Sequence, residues 1–138
     1  MLATSAEIRA AIRELWPDIP KGYLWLPDGT YFRPTIEETI AFLHPSGIAS
    51  IPRKGEKWDC DEYAEKADIY VKEKDRDNDA ILNPRAFGFC FCSKLKGRKV
   101  SHTLNILYAV DGLWFVEPQG YHHWPADRRL DNVEILKM

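Results

Sequence analysis

The N-terminal part of the chain repeats hydrophobic residues at the three- and four-residue spacing that is typical of amphipathic helices. The pattern predicts helices over residues 5–16 and 35–43, each with one apolar side facing a core. Thr35, followed three positions later by Glu38, forms a capping box that begins the second of these helices. We therefore expect residues 1–52 to form an N-terminal region of helices and loops.

A third helix is predicted to begin at Asp59 or Cys60. Asp59 suits the N-cap position, and Glu62 three residues later completes a pair that resembles a capping box. Apolar residues at helical spacing between positions 63 and 71 provide one face that can pack on a sheet. The polar run 73–79 then predicts a surface loop.

From Ala86 onward the hydrophobic period changes to two residues, which is typical of β-strands. Asp111-Gly112, between two such runs, is a strong signal for a hairpin turn. Helices followed by strands predict an α+β fold in which the cysteine-bearing helix packs on a C-terminal antiparallel sheet. The predicted strands are residues 86–93, 100–110, 113–119, 121–124 and 132–136.

Composition and charge narrow the possible functions. A chain of 138 residues is the size of one domain, in which residues 53–138 form the core that carries the candidate site. The net charge of −2 provides no electrostatic case for a nucleic-acid or membrane partner. Three cysteines do not form a disulfide framework, and the N-terminus lacks the pattern of a signal peptide. A reducing cytoplasm is the expected location.

Cys60, His102 and Glu117 occur in the order of a thiol nucleophile, its base and the acid that orients the base. A cysteine at a helix N-terminus and beside an imidazolium has a lowered pKa, which favours the reactive thiolate. The flanking Asp59 and Asp61 act in the opposite direction, because nearby negative charge raises the pKa of a thiol. Either these carboxylates point away from the thiol, or a cationic group such as a bound metal ion neutralises them.

The predicted hairpin places His102 and Glu117 on one face of the sheet. If Asp111-Gly112 is a two-residue turn, each residue of one strand lies opposite a residue of the other. Counting only the pairs that point to one face, the pair that contains Glu117 is two pairs away from the pair that contains His102. A bulge would then have to bring the acid closer. Gln119 lies only one pair away and is the alternative group that could orient the ring.

Trp58-Asp59-Cys60-Asp61, with His102 and Glu117-Pro118-Gln119, resembles the papain-like cysteine peptidase superfamily. The resemblance is greatest to the C-terminal domain of the fairy-ring mushroom agglutinin and to small stand-alone relatives, including phage proteins. It covers roughly residues 55 to 125, about half of the chain. It implies a single papain-like domain over residues 1–138.

The resemblance also implies roles for individual residues. Cys60, His102 and Glu117 would form the catalytic triad of a calcium-dependent cysteine peptidase, and Asp59, Asp61 and Gln119 would bind calcium. The partner would be a peptide or protein substrate, in a bacterial or phage-infected cytoplasm. The chain departs from the family pattern because its only glutamine is Gln119, so no glutamine precedes Cys60 as an oxyanion donor.

Two alternatives stay open at this point. The missing glutamine and the acidic flanks of Cys60 are also consistent with a non-catalytic binding or assembly protein, for which an oligomer is allowed. Cys90 and Cys92, two apart on a predicted strand, are expected to pack in the core. A zinc site formed by these cysteines with His122 or His123 is the alternative.

Overall fold

Three helices and eight strands make up the computed structural model, which describes residues 1–138. The helices are α1 (Ser5–Leu15), α2 (Ile36–Leu43) and α3 (Cys60–Arg76). The strands are β1 (Leu2–Thr4), β2 (Leu24–Trp25), β3 (Thr30–Phe32), β4 (Phe87–Leu95), β5 (Arg98–Ala109), β6 (Gly112–Glu117), β7 (His122–Pro125) and β8 (Asn132–Lys137). None of the three helices combines the length and the apolar character that a membrane-spanning helix requires.

Each helix begins with a capping box, which explains why the sequence predicted the helix starts well. The side chains of Thr35 and Asp59 cap α2 and α3, as expected, and Thr4 caps α1. A capping box satisfies two backbone N–H groups that would otherwise lack a partner at the helix start. The predicted loop over residues 73–79 is wrong in part, because α3 continues to Arg76.

The main sheet has six strands in the order β2-β8-β4-β5-β6-β7. Its neighbouring strands are antiparallel except for β2 and β8, which run parallel. The predicted α+β class is therefore confirmed, and the C-terminal strands β4–β8 pair antiparallel as expected, whereas the parallel addition of β2 was not predicted. Strands β1 and β3 form a separate antiparallel pair.

Helices cover both faces of the main sheet. On one face, Ile8 and Ile12 of α1 belong to a buried cluster with Leu104 and Phe115 of the sheet. On the other face, Val71 of α3 belongs to a second cluster of buried side chains from the helix and the sheet. Side chains alternate along each strand, so neighbouring residues of β4 and β5 contribute to opposite clusters.

Cys90 and Cys92 lie in the first of these clusters with no exposed surface, and their sulfur atoms are 3.7 Å apart. His122 and His123 are exposed on β7, which is separated from β4 by two strands. The expected core packing of the two cysteines is confirmed.

The β5–β6 hairpin turns one residue earlier than the sequence predicted. Ala109 pairs with Gly112, so the turn consists of Val110 and Asp111. The Arg33 guanidinium donates hydrogen bonds to the carbonyls of Ala109 and Val110, which holds the turn against the preceding loop. These tertiary contacts override the local preference of an Asp-Gly pair for the two turn positions.

Candidate functional site

The first turn of α3 presents the predicted nucleophile and its acidic neighbours. Asp59 is the N-cap, and its Oδ1 accepts a hydrogen bond of 3.2 Å from the Asp61 backbone N–H. The Asp59 backbone N–H donates to Glu62 Oε2 at 2.9 Å. Cys60 is the first helical residue and is partly exposed. The sequence motif therefore folds locally as expected.

The electrostatics around Cys60 favour the neutral thiol. Burial raises the pKa of Cys60 above its usual value, and the negative charges of Asp61 and Asp59 raise it further. A hydrogen bond from the Thr103 backbone N–H acts in the opposite direction without reversing the rise. The thiol also donates to Asp61 Oδ1 across 3.7 Å. The raised pKa favours the protonated thiol over the thiolate, and only thiolates are good nucleophiles.

His102 and Glu117 form a close polar contact, with 2.5 Å between His102 Nε2 and Glu117 Oε2. Both side chains are about one-fifth to one-quarter exposed, at 25% and 19%. Glu117 Oε1 accepts a hydrogen bond of 3.3 Å from the Gln119 backbone N–H. Glu117, and not the side chain of Gln119, contacts the histidine ring.

The corrected hairpin register explains how Glu117 reaches His102. In the observed register Asn105 pairs with Val116. Relative to the predicted register, β6 is shifted along β5 by one pair, counting only the pairs on one face of the sheet. Glu117 is then a diagonal neighbour of His102, a position from which long side chains can touch. No bulge in β6 is required.

The structure brings Cys60 to its two aspartates and His102 to Glu117, but it records no hydrogen bond between Cys60 and His102. Ser101 and Thr103 line a groove together with Cys60. His102 lies between these two residues on β5, and alternation along the strand turns its side chain to the other face. The triad of Cys60, His102 and Glu117 stays a prediction from the sequence.

Asp59, Cys60 and Asp61 place one potential metal ligand each within 4.8 Å of one another. Calcium takes six to eight oxygen ligands, and two carboxylates and a thiol supply only part of such a shell. Gln119, the third predicted ligand, contacts Glu117 through its backbone N–H. The first turn of α3 therefore fits calcium only as an open site that is completed by water.

A groove of about 430 Å³ opens between the first turn of α3 and the sheet. It has aromatic rings from Phe89 and Phe91 of β4, together with hydroxyl groups from Ser101 and Thr103 of β5. Three carboxylates and two further side chains complete its lining: Asp59, Asp61, Glu65, Cys60 and Ile135. No basic residue lines it.

The sequence analysis missed the sheet side of this groove. Phe89 and Phe91 recur at a spacing of two, as core residues of a strand also do, so their pattern alone does not distinguish a binding surface from a core. Both rings are partly exposed because α3 covers the neighbouring part of the sheet and leaves this part open. Only the position of the helix on the sheet reveals the groove.

Comparisons with known proteins identify related folds but no related sequence family. No family model matches the sequence, and no curated protein is significantly similar to it. Among solved structures, the Polyporus squamosus lectin bound to the human-type influenza-binding epitope Neu5Acα2-6Galβ1-4GlcNAc matches with a TM-score of 0.77 and 22% identity, over 97% of this chain and 48% of that chain. The PSL1a–E64 complex matches with a TM-score of 0.76 and 22% identity, over 96% of this chain and 48% of that chain.

These matches show that the chain shares the fold of one part of the lectin. The chain spans about half the length of the solved structures that it matches. At 22% identity, the likeness extends to the fold and not to the sugar that the lectin binds.

The assignment to the papain-like cysteine peptidases is corrected by this comparison, because the matched structures are those of a sugar-binding lectin. The matched lectin structures do not support the predicted cysteine peptidase activity or the predicted peptide or protein substrate. The raised pKa of Cys60 agrees with the correction, since it opposes the thiolate that such an activity requires. The non-catalytic alternative fits the findings better.

Proposed function

We propose that the chain is a non-catalytic carbohydrate-binding protein, and that the sugar binds in the groove between α3 and the sheet. The observation that carries the proposal is the lining of this groove, which combines two partly exposed phenylalanine rings with hydroxyl and carboxylate groups. Concave sites with apolar walls and a few polar groups are the usual binding sites for small molecules.

Each part of the lining suits one part of a sugar. Phe89 and Phe91 offer flat apolar faces to the C–H side of a pyranose ring. Asp61 and Glu65 offer charged acceptors to sugar hydroxyls, and charge-assisted hydrogen bonds are stronger than neutral ones. Thr103 adds a hydroxyl that can donate or accept. Stacking and hydrogen bonding therefore act on the same ligand from opposite sides of the groove.

The floor of the groove continues toward the edge of the sheet. Trp25 of β2 lies opposite Lys137 of β8, which in turn lies opposite Phe89 of β4, so the three side chains point to the same face. Trp25 is 59% exposed, which is unusual for so large an apolar side chain. A second sugar unit of an oligosaccharide would meet this ring.

The charge of the groove selects among sugars. Three carboxylates line it against one adjacent ammonium, that of Lys137 at 6.0 Å from the centroid of the Phe89 ring, so an anionic sugar such as Neu5Ac would be repelled. The proposed ligand is therefore a neutral oligosaccharide. The likeness to a lectin fold supports a sugar as ligand, while the acidic lining distinguishes this groove from a site for sialylated glycans.

The proposal is tested by titrating neutral and sialylated oligosaccharides and following amide shifts by NMR or heat by calorimetry. We expect neutral oligosaccharides to shift the amides of β4 and the first turn of α3. Phe91→Ala should weaken binding at least about tenfold, because it removes one wall of the stack. Phe91→Tyr should retain binding.

Two control variants make the test specific. Phe42→Ala removes a phenylalanine of similar partial exposure from α2, outside the groove, and should leave the affinity unchanged. Cys60→Ser should retain binding, since the proposed role needs no thiol. If no neutral oligosaccharide binds, or if Phe91→Ala and Phe42→Ala have equal effects, the proposal is wrong.

A further inference from the structure

The sheet side of the sugar groove is wider across the strands than along them. Its lining residues come from three neighbouring strands: Ser101 and Thr103 of β5, Phe89 and Phe91 of β4, and Ile135 of β8. Three strands cover about 10 Å across a sheet, whereas two residues along one strand cover about 7 Å. A chain-like ligand that fills the groove therefore runs across the strands, and β2 is the next strand beyond β8.

Three side chains continue the groove in this direction. Phe89, Lys137 and Trp25 lie on paired positions of β4, β8 and β2, on one face of the sheet. We call these three side chains the edge row. Trp25 Nε1 donates a hydrogen bond of 2.8 Å to the Gly22 carbonyl, which holds the indole in place although more than half of the side chain is exposed. The edge row thus ends in a fixed and accessible aromatic ring.

The sheet sets the spacing of the two aromatic side chains in the edge row. Phe89 and Trp25 are two strands apart, which is about 10 Å. The spacing of neighbouring strands, about 4.8 Å, is close to the advance of one pyranose in an extended sugar chain. A chain that crosses the sheet therefore places one sugar over each strand, and an aromatic ring lies under every second sugar.

This spacing distinguishes between classes of sugar chain. In a β-1,4-linked chain of equatorial pyranoses, each sugar is turned over relative to the one before it, so every second sugar presents the same face to the protein. Such a chain is also straight, which suits a row of rings on a sheet. An α-1,4-linked chain coils instead and would leave the edge row after one contact. The three carboxylates of the groove disfavour chains of anionic sugars.

We propose that the groove and the edge row together bind an extended, neutral, β-1,4-linked polysaccharide of the glucan or chitin class. The inference rests on the proposed sugar-binding function and adds the class of chain to it. Phe89 and Trp25 stack on alternate sugars. The Lys137 ammonium, which forms no salt bridge within the chain, donates a hydrogen bond to a hydroxyl of the sugar between them.

Calorimetry with oligosaccharides of increasing length tests the proposal. The four neighbouring strands from β5 to β2 hold four sugars, so only a tetrasaccharide reaches from the groove to Trp25. We expect the affinity in the cello-oligosaccharide or the chito-oligosaccharide series to rise about tenfold from the disaccharide to the tetrasaccharide, because the longer chain gains a second stacked ring. Malto-oligosaccharides, which are α-1,4-linked, should show no comparable rise.

Substitution of Trp25 separates the edge row from the groove. Trp25→Ala should abolish the rise with length and leave the affinity for the disaccharide unchanged, since the disaccharide fills only the groove. Trp25→Phe should retain the rise, because an aromatic face is still present. Trp114→Ala is the matched control. Its Nε1 also donates to a group three residues earlier, Asp111 Oδ1, but Trp114 lies on β6 at the other side of the sheet, so both affinities should stay unchanged.

A groove that binds sugar without an extended chain would give a distinct result. Disaccharides would then bind, but the tetrasaccharides of both β-1,4-linked series would bind no more tightly, and the inference would be overturned while the proposed function stands. The same holds if Trp25→Ala weakens both lengths equally, or if malto-oligosaccharides gain as much with length. If no neutral oligosaccharide binds at all, the proposed function and the inference are both wrong.

Discussion

Cys60 illustrates how the surroundings of one residue decide its chemistry. It occupies the start of a helix, where the helix dipole favours a thiolate. Its own neighbours and partial burial outweigh this effect and raise the pKa of the thiol. The sequence showed both influences, because the aspartates are adjacent, but their balance depends on burial that only the fold determines.

The raised pKa predicts that Cys60 reacts slowly with iodoacetamide at neutral pH. Labelling followed by mass spectrometry should be no faster than that of free cysteine, and it should accelerate as the pH rises above the usual cysteine range. His102→Ala should leave the rate unchanged. Rapid labelling at neutral pH that is lost in His102→Ala would contradict this prediction.

Asp61→Asn should accelerate the labelling of Cys60. Removing the negative charge stabilises the thiolate and lowers the pKa of Cys60, so more of the reactive form is present. For a partly exposed charge, we expect about a two- to fivefold increase in rate. Glu73→Gln, a charge removal near the far end of the same helix, serves as the control and should have no effect.

At the scale of elements, Asn105 links α3 to the sheet. Its Nδ2 donates to the Ala64 carbonyl at 2.9 Å and to the Gly88 carbonyl at 3.0 Å, and the residue is completely buried. Strand alternation turns Asn105 to the face opposite His102, and these contacts give it a structural role. The identity of its partners could not be predicted, because they lie 41 and 17 residues away.

Asn105→Ala should lower the free energy of unfolding by about 2 kcal/mol, because two buried hydrogen bonds are lost. Asn132→Ala is the matched control. Its Nδ2 also makes two hydrogen bonds, to Ser93 Oγ and Glu134 Oε1, but the site is half-buried and the expected loss is below about 1 kcal/mol. Urea unfolding measures the free energy that each variant loses. Equal losses for the two variants would show that burial does not strengthen the contribution of the Asn105 hydrogen bonds to stability.

The first turn of α3 also carries the predicted calcium site. With two carboxylates, we expect a dissociation constant on the order of 1 mM. About 5 mM calcium would then stabilise the fold by about 1 kcal/mol and raise the melting temperature by about 3 °C. Asp61→Asn should remove this rise. Identical melting temperatures in calcium and in EGTA would contradict the prediction.

Across the whole molecule, the helices and most strands were predictable because capping residues and hydrophobic periods are local signals. The strand order was not, because it depends on pairing between distant segments. Leu24–Trp25 is only two residues long, and nothing in its sequence indicates that it pairs with Leu136 and Lys137. The groove was missed for the same reason, since its two sides come from α3 and from strands that follow it.

The position of β8 between β2 and β4 predicts a large effect for one of its buried residues. Leu136 is 1% exposed, and Leu136→Ala should lower the free energy of unfolding by about 2–5 kcal/mol. Ile135→Ala on the same strand is the control, because Ile135 is 45% exposed and its expected loss is below about 1 kcal/mol. Thermal or urea unfolding measures the free energy of unfolding of both variants. Similar losses for Leu136→Ala and Ile135→Ala would contradict the prediction that Leu136 stabilises the core.

The placement of β8 between β2 and β4 also constrains the order of events during synthesis. A chain that leaves the ribosome from its N-terminus exposes β2 long before residues 132–137 emerge. Strand β2 has no other neighbour in the main sheet, so it must wait unpaired while more than a hundred residues are added. The main sheet is therefore completed only after nearly all of these residues have emerged, and chaperones would meet an open sheet until then.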